Sequence, residues 1–258
     1  MPKDFIVTID MGGTKQLACV INSSDGIVAR VKQSTDPQST EREYIKSIAK
    51  ITKDVIKSSS VGKENIKAVC LGMAGSVNPY KGTIYLAPNL GLKNFNIKKM
   101  LENEINYPVL VENDVNLAAL GIKNFEVDKS SKNLLAIFVG TGIGGGLILN
   151  GELYRGSNFV AGEIGHILVK KDGAVCGCGK RGCFETIASR TAITNKIISD
   201  VKNGKESSLA KMIEAGEIIK SKSLAKAVKD DDQLVTGHII DACDVIGGVL
   251  ASVTNLLN

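Results

Sequence analysis

The densest chemical feature of this sequence is a cysteine-rich stretch between residues 162 and 185. Three of the six cysteines lie within residues 176–183, and one of the two histidines lies just upstream. Three thiolates and one imidazole make a four-ligand set that suits a closed, tetrahedral zinc site. The interleaved Gly177, Gly179 and Gly182 let so short a loop turn its sulfur atoms inward, because glycine reaches backbone angles that other residues avoid. The stretch therefore predicts a structural zinc ion with these ligands: His166, Cys176, Cys178 and Cys183.

Two other interpretations of these cysteines are weaker. Three reduced structural cysteines beside a core histidine would leave their density unexplained. A disulfide is disfavoured because Cys176 and Cys178 are nearly adjacent and a third sulfur would be left over. Cysteines without paired spacing also indicate a reducing compartment, so we expect a cytoplasmic protein.

Carboxylates flank the predicted metal loop. Glu163 precedes His166 by three residues, and Glu185 follows Cys183 by two. Carboxylates beside a ring nitrogen are suitable acceptors for the hydroxyl donors of a sugar. A structural zinc site needs no such neighbours, so the flanks predict a hydroxyl-rich ligand.

Composition narrows the possible partners. A chain of 258 residues is one large domain or two modest ones, and 43% hydrophobic with 23% charged residues is ordinary for a globular protein. We find no uninterrupted apolar run of the roughly 18 residues that a membrane span needs, and expect no membrane partner. The net charge of +5 is modest, and the basic residues are scattered among acidic ones. Both features argue against nucleic acid as a partner.

A first glycine turn lies near the N-terminus. The apolar run Phe5 to Asp10 leads into Asp10-Met11-Gly12-Gly13-Thr14-Lys15, and a second apolar run follows from Leu17. This predicts strand, glycine turn and strand, in which successive amide groups can face an anion and Asp10 can hold Mg²⁺. A tight hairpin with a solvated aspartate fits the same residues.

A second glycine turn follows the apolar run Leu134–Val139. Gly140-Thr141-Gly142-Ile143-Gly144-Gly145-Gly146 holds five glycines in seven residues, and Leu147–Leu149 should form the next strand. Packing alone hardly explains so many glycines, since each costs backbone entropy on folding. The turn lacks the Lys-Ser/Thr of a P-loop and no helix follows it, so neither Walker A nor Rossmann binding is favoured.

A polar triplet ends the predicted strand Pro108–Val111. Glu112-Asn113-Asp114 is followed by the helix-like segment Val115–Phe125. Open α/β sheets bind their ligands at the carboxyl ends of strands, so the triplet is a candidate site. Asp114 fits equally well as a helix N-cap. Taken alone, the loop Gly72–Ser76 and the pair Pro88-Asn89 read as turns.

Helical spacing marks the remaining segments. Isoleucines and a valine predict an amphipathic helix over Thr40–Ser58. From residue 187 onward short helices follow one another, and His238 should be a surface or capping residue. The last helix, Ile239–Leu257, is apolar nearly all round and is expected to be buried.

Together these motifs resemble the signature of the ROK family of repressors, open reading frames and sugar kinases. The resemblance rests on Glu-x-Gly-His followed by Cys-x-Cys-Gly-x-x-Gly-Cys-x-Glu, and it covers nearly the whole chain. It implies an α/β, two-lobed, actin-like ATPase fold of the ribonuclease H-like, hexokinase type with a structural zinc loop. The expected lobes are residues 1–116 and 117–258, with sugar bound in the cleft between them.

The resemblance also implies roles for individual residues. The catalytic base is Asp114, and the zinc ligands are the four residues given above. The implied sugar contacts are Gly75, Asn89, Asn113, Asp114, Gly142, Glu163, His166 and Glu185. The implied contacts to the nucleotide phosphates and Mg²⁺ are Asp10, Gly12, Gly13, Thr14, Lys15, Thr141 and Gly142.

The implied activity is transfer of a phosphoryl group from ATP to the 6-hydroxyl of a hexose, most simply glucose. N-acetylmannosamine, N-acetylglucosamine and fructose are alternative substrates, because the matched motifs are shared. A non-catalytic sugar sensor and a zinc-stabilised interaction module are alternatives of other classes. We expect a homo-oligomer, dimer or tetramer.

Each end of the sequence differs from the corresponding end of some ROK family members. Family members normally continue with a strand, a second glycine-rich turn beside the adenosine and a closing helix, which are lacking after Asn258. Either the sequence is truncated or the nucleotide pocket lacks a part. The resemblance therefore implies a lobe incomplete at its C-terminus, weak ATP binding, and an exposed Ile239–Leu257 helix through which the protein self-associates. The chain starts at its first strand without a helix-turn-helix, so the repressor branch is disfavoured.

Overall fold

The computed structural model describes residues 4–257, which form two compact units. One unit holds the residues up to Leu134 together with Gly146–Ala161. The other holds Leu135–Gly145 and the residues from Gly162 onward. The expected lobes, 1–116 and 117–258, divide the chain differently and stay a prediction.

Within the described residues the chain forms eleven strands and eight α-helices. The strands are β1 (Phe5–Met11), β2 (Lys15–Asn22), β3 (Gly26–Ser34), β4 (Ile66–Met73), β5 (Ser76–Asn78), β6 (Thr83–Ala87), β7 (Leu92–Phe95), β8 (Val109–Asn113), β9 (Leu134–Val139), β10 (Ile143–Leu149) and β11 (Glu152–Leu153). The helices are α1 (Glu41–Ser59), α2 (Ile97–Ile105), α3 (Asp114–Phe125), α4 (Glu185–Ala188), α5 (Arg190–Lys202), α6 (Ala210–Glu214), α7 (Ser221–Lys229) and α8 (Gln233–Leu257). Single 3₁₀ turns lie at Lys63–Asn65, Pro88–Leu90 and Ile164–His166.

The first unit is built on a five-stranded sheet with the order β3-β2-β1-β4-β8. The strands β1 to β3 form an antiparallel meander, and β4 and β8 run parallel to β1. Met11 pairs with Met73, and Met73 pairs with Asn113. The carboxyl ends of β1, β4 and β8 therefore lie side by side at one edge of the sheet, and the predicted meander is confirmed.

Helix α1 covers this sheet. Thr40 is its N-cap: Glu43 Oε2 accepts a hydrogen bond from the Thr40 amide at 2.7 Å, and the Glu43 amide donates to Thr40 Oγ1 at 3.4 Å. This reciprocal capping box fixes the first turn of the helix. The buried face includes Tyr44, Ile48 and Val55, which pack into the core of the first unit. The predicted helix is confirmed with ends within one residue.

The second glycine segment differs from its prediction. It was expected to be a loop from Gly140 to Gly146, but β10 already begins at Ile143. A Cβ on Gly145 would lie 2.7 Å from the Gly162 carbonyl oxygen, and one on Gly146 would overlap the Ala119 side chain. The last glycines of the run therefore belong to a strand against which other segments pack closely. The turn itself is limited to residues 140–142.

Helix α8 is less buried than expected. Val235, Ala242 and Val249, seven residues apart, are its buried residues, and they pack into the core of the second unit. Much of the remaining helix is exposed, including Ile240 and Leu256. The prediction of burial on all sides is wrong, because the neighbouring α4, α5 and α7 cover one stripe of the helix. The exposed apolar surface expected of an incomplete lobe agrees with what the described residues show.

Helix α8 is also long and apolar enough to cross a membrane by length and composition alone. Asp241 and Asp244 interrupt its apolar residues, so the helix contains no uninterrupted apolar run of that length. A core helix of a soluble protein can pass the same test, so this is weak evidence for a membrane span.

Candidate functional site

The first glycine turn lies at the edge of the five-stranded sheet. It is closed by a hydrogen bond of 2.9 Å from the Gly12 amide to the Lys15 carbonyl oxygen. Thr14 and Lys15 are exposed. A Cβ on Gly13 would lie 3.5 Å from the Cβ and carbonyl oxygen of Asn89. The fold therefore places the predicted phosphate turn beside the predicted sugar residue Asn89.

Asn113 and Asp114 lie where β8 passes into α3. The N-cap is Asn113, whose Oδ1 accepts a hydrogen bond of 2.9 Å from the Asn116 amide. Asp114 is the first residue of the helix, and its Oδ1 accepts from the Val115 amide at 2.9 Å. The alternative role of Asp114 as N-cap is thus wrong, because its neighbour fills that position.

Gly75 is tied to the same junction. Asn113 Nδ2 donates a hydrogen bond of 3.0 Å to the Gly75 carbonyl oxygen. Gly75 has a φ of +121°, and an added Cβ would lie 3.0 Å from the Ala87 Cα and would overlap the Leu86 carbonyl oxygen. Glycine is therefore required here both for its backbone angle and for the approach of β6.

Two carboxyl groups in the first unit have raised pKa values. Loss of solvent raises the pKa of Asp114, and the negative charge of Asp10 raises it further. Loss of solvent also raises the pKa of Asp10. A carboxylate that binds a proton more tightly than usual is a better proton acceptor, which suits a general base.

The second unit contains the other glycine turn. The Gly140 amide donates a hydrogen bond of 2.9 Å to the Gly142 carbonyl oxygen. Glu185 Oε2 accepts a long bond of 3.4 Å from the Ile143 amide. A Cβ on Gly142 would lie 2.6 Å from Glu185 Oε2. The predicted residues Gly142 and Glu185 are therefore in contact.

Arg190, which the sequence did not single out, lies beside this turn. Its Nη2 donates a hydrogen bond of 3.1 Å to Thr141 Oγ1, and its amide donates at 2.9 Å to the Gly140 carbonyl oxygen. No local pattern links residues 141 and 190, so the contact follows from the fold alone.

The four predicted zinc ligands meet in the second unit. Their donor atoms, one from each residue, all lie within 4.8 Å of one another. Cys178 Sγ lies 3.7 Å from Cys183 Sγ, and Cys176 Sγ lies 3.5 Å from His166 Nδ1. In a tetrahedral site with zinc–sulfur bonds of about 2.3 Å, neighbouring sulfur atoms lie about 3.8 Å apart. Donor types and distances both fit zinc.

Glycine conformations close the loop that carries these cysteines. Gly179 and Gly182 have φ values of +86° and +75°, as expected for residues that turn the chain sharply. Gly177 does not adopt a positive φ, so that part of the expectation was wrong. The Cys176 amide donates a hydrogen bond of 2.7 Å to the Lys180 carbonyl oxygen. This bond closes the turn that carries Cys176 and Cys178 and leads to Cys183.

Glu163 and Glu185 lie on either side of the His166 ring. Nε2 of the ring is 3.8 Å from Glu163 Oε2, and Nδ1 is 3.7 Å from Glu185 Oε1. Cys176 Sγ donates to the same Glu185 oxygen at 2.9 Å, while burial raises the pKa of the Cys176 thiol. A bound dication would oppose that effect, since zinc binds the thiolate form. The second unit thus gathers the metal set and the predicted sugar acceptors in one place.

Comparison with known proteins identifies the family. The sequence profile of the ROK family matches residues 6–258. The chain belongs to the ROK family. The resemblance of its motifs to ROK proteins is therefore confirmed, and the fold is the two-lobed actin-like ATPase fold of ROK kinases.

Individual ROK proteins resemble the chain along nearly its whole length. A glucokinase from Halalkalibacterium halodurans is 33% identical over 100% of this chain and 78% of its own length. A putative xylose repressor from Caldicellulosiruptor sp. is 30% identical over 98% of this chain, which spans 63% of that repressor. A solved ROK glucokinase from Streptomyces griseus, in complex with glucose and AMPPNP, is 29% identical with a TM-score of 0.84 over 98% of this chain and 80% of its own.

Proposed function

We propose that this protein is an ATP-dependent hexose kinase that phosphorylates the 6-hydroxyl of its substrate, with glucose as that substrate. The observation that carries the proposal is Asp114, a carboxyl group of raised pKa at the carboxyl end of a parallel strand. The similarity to a glucokinase and to a solved ROK glucokinase with glucose and AMPPNP supports the same reaction.

Asp114 acts as the general base. It accepts the proton of the 6-hydroxyl as the oxygen attacks the γ-phosphorus of ATP and the bond to the β,γ-bridging oxygen breaks. Asn113 supports this role, because its two hydrogen bonds fix the backbone that presents Asp114. Gly75 and Asn89 supply further sugar contacts from the first unit.

The phosphate groups of ATP are bound by the two glycine turns. In the first turn, Gly12 and Gly13 present backbone amides, and the exposed Thr14 and Lys15 add a hydroxyl and a positive charge. Asp10 would hold Mg²⁺, directly or through water, and the ion would neutralise charge on the phosphates. The second turn contributes Thr141 and Gly142.

The second unit supplies side chains for the ring hydroxyls: Glu163 and Glu185 as acceptors, and His166 as a donor through the Nε2–H of its ring. A zinc ion bound by His166 and the three cysteines would have a structural role: it would fix the ring of His166 and the loop that ends at Glu185, where Cys176 already contacts both side chains. His166 would bind zinc through Nδ1, the ring nitrogen that lies 3.5 Å from Cys176 Sγ. Its Nε2 remains available on the side of Glu163.

The proposal is tested with a panel of hexoses and ATP. Purified protein is incubated with glucose, N-acetylmannosamine, N-acetylglucosamine or fructose, and ADP release and sugar phosphate are measured. We expect the highest kcat/KM with glucose, and a kcat lower by roughly 10² or more in Asp114→Asn. Phosphorylation of no sugar in the panel would overturn the proposal, and a preference for another hexose would correct the substrate.

A sugar-responsive regulator is the second candidate, because a putative xylose repressor covers 98% of this chain at 30% identity. It predicts sugar binding without turnover, which calorimetric titration beside the kinase assay distinguishes. For the kinase we further propose a cytoplasmic homo-oligomer, dimer or tetramer, with small molecules rather than nucleic acid or membranes as partners. Light scattering after size-exclusion chromatography tests the oligomeric state.

A further inference from the structure

A buried carboxylate lies next to the proposed base. Glu112 is 7% exposed and accepts three hydrogen bonds. Its Oε1 accepts from the Asn113 amide at 2.9 Å and from Asn116 Nδ2 at 3.1 Å, and its Oε2 accepts from Arg155 Nε at 2.7 Å. Two of these three donors therefore belong to residues on either side of Asp114.

Arg155 has two further contacts, one through its backbone and one through its side chain. Its carbonyl oxygen accepts a hydrogen bond of 3.1 Å from the Ala161 amide, which closes the loop after β11. Its guanidinium carbon lies 5.9 Å from the centre of the Tyr80 ring, within the range of a cation–π contact. The Tyr80 ring is in turn 5.9 Å from that of Phe159. The guanidinium therefore has a contact with the Tyr80 ring in addition to its hydrogen bond to Glu112.

Stability alone is a poor explanation of this pair. The Arg155 side chain is 25% exposed and that of Glu112 9%, and removing most of both charged groups from water offsets much of their attraction. Well-packed apolar residues often replace such an ion pair without loss of stability. A buried ion pair does supply direction, because its hydrogen bonds form only in a narrow geometry. Here the Glu112–Arg155 ion pair orients the backbone at the strand-to-helix junction that carries Asp114.

We propose that Glu112 and Arg155 are positioning residues for catalysis: Arg155 orients Glu112, and Glu112 fixes the backbone on both sides of Asp114. Neither residue is assigned a contact with substrate. This inference rests on the proposed hexose kinase activity. It predicts that loss of the Glu112–Arg155 interaction lowers kcat more than it weakens sugar binding.

The test compares kcat with KM for glucose at saturating ATP. In Arg155→Met and Glu112→Gln, kcat should fall by about 10-fold or more while KM changes by less than about 3-fold. Arg155→Lys retains the charge and should restore part of kcat. Because both changes break one interaction, the double variant should be no slower than the slower single variant. Amide exchange over residues 109–117 should rise in Arg155→Met.

A matched control lies at the other end of the same strand. Glu102 Oε1 accepts a hydrogen bond of 3.0 Å from the Val109 amide and lies 4.0 Å from Lys98 Nζ. Glu102→Gln and Lys98→Met should leave kcat unchanged. An equal loss of kcat in these controls, or normal kcat in Arg155→Met and Glu112→Gln, would overturn the positioning role alone.

The remaining outcomes are also decisive. If Arg155→Met does not fold, Glu112→Gln decides, since it keeps the side-chain shape and the Oε1 acceptor. A wild-type protein that phosphorylates no hexose would overturn the proposed function together with this inference. A rise in the KM for glucose in both Arg155→Met and Glu112→Gln, with kcat unchanged, would assign the pair to sugar binding and overturn its role in positioning Asp114.

Discussion

Replacing Gly75 with alanine should destabilise the protein far more than replacing a comparable glycine in an open position. The φ of +121° at Gly75 lies outside the left-handed helical region, and such a backbone costs a non-glycine residue about 1–3 kcal/mol. The added Cβ would also lie 3.1 Å from the Ala87 Cβ and overlap the Leu86 carbonyl oxygen. Overpacking of this kind typically costs a further 1–3 kcal/mol or so. We therefore expect a loss of about 3 kcal/mol or more in the free energy of unfolding.

Two other glycines serve as controls for this substitution. Gly91 has a φ of +64° but no heavy atom within 4 Å of an added Cβ, so Gly91→Ala should cost only about 1 kcal/mol. Gly121 lies inside α3 with open space around it, and Gly121→Ala should stabilise the protein by about 0.5–1 kcal/mol. The three variants separate backbone strain from steric overlap.

Urea unfolding followed by circular dichroism measures all three variants under the same conditions. Because the Gly75 carbonyl oxygen accepts from Asn113 Nδ2, Gly75→Ala should also weaken hexose binding, measured by calorimetry below the unfolding transition. If Gly75→Ala is as stable as Gly91→Ala, then β6 does not approach Gly75 as closely as described, and the reasoning fails.

Three further predictions concern Asp114 and the metal loop. Asp114→Asn keeps the side-chain shape but cannot accept the proton, so kcat should fall by roughly 10² or more with little change in glucose KM; near wild-type turnover would refute its role as base. The raised pKa of Asp114 means that its ionised form destabilises the fold, so Asp114→Asn should unfold at higher urea than wild type at pH 7. That difference should shrink as the pH falls through the raised pKa, because the wild-type carboxyl group then becomes neutral too; a difference that grows on acidification contradicts the assignment. Cys178→Ser should lose zinc, measured by metal analysis against an expected one ion per wild-type chain, and should lose hexose binding with it; a metal-free variant that binds hexose normally would separate the metal loop from the sugar site.

The sequence predicts those parts of the fold that depend on local patterns. The alternation in β1 and β2, the periodicity of α1 and the spacing of the cysteines each identify an element within a few residues. Local patterns succeed here because capping, strand pleat and metal ligation involve residues that are close in sequence.

Local patterns fail where a distant segment decides the structure. Glycines 144–146 were assigned to a loop because glycine usually marks a turn, whereas Gly145 and Gly146 lie in a strand approached by Gly162 and Ala119. The exposure of α8 has the same origin, since the number of its packed faces depends on α4, α5 and α7 rather than on its own composition.

The Glu112–Arg155 pair marks the limit of sequence reasoning at the candidate site. The two residues are 43 positions apart, and neither belongs to a motif that specifies the other. In the motif Glu112-Asn113-Asp114, the sequence points to the side-chain amide of Asn113 and the carboxylate of Asp114, because these groups suit sugar binding and proton transfer. The role of Glu112 arises only in the fold, where the Arg155 guanidinium binds its Oε2 and the amides around Asp114 bind its Oε1. Motifs therefore identify the groups suited to the reaction, while the residues that hold those groups in position follow from tertiary structure.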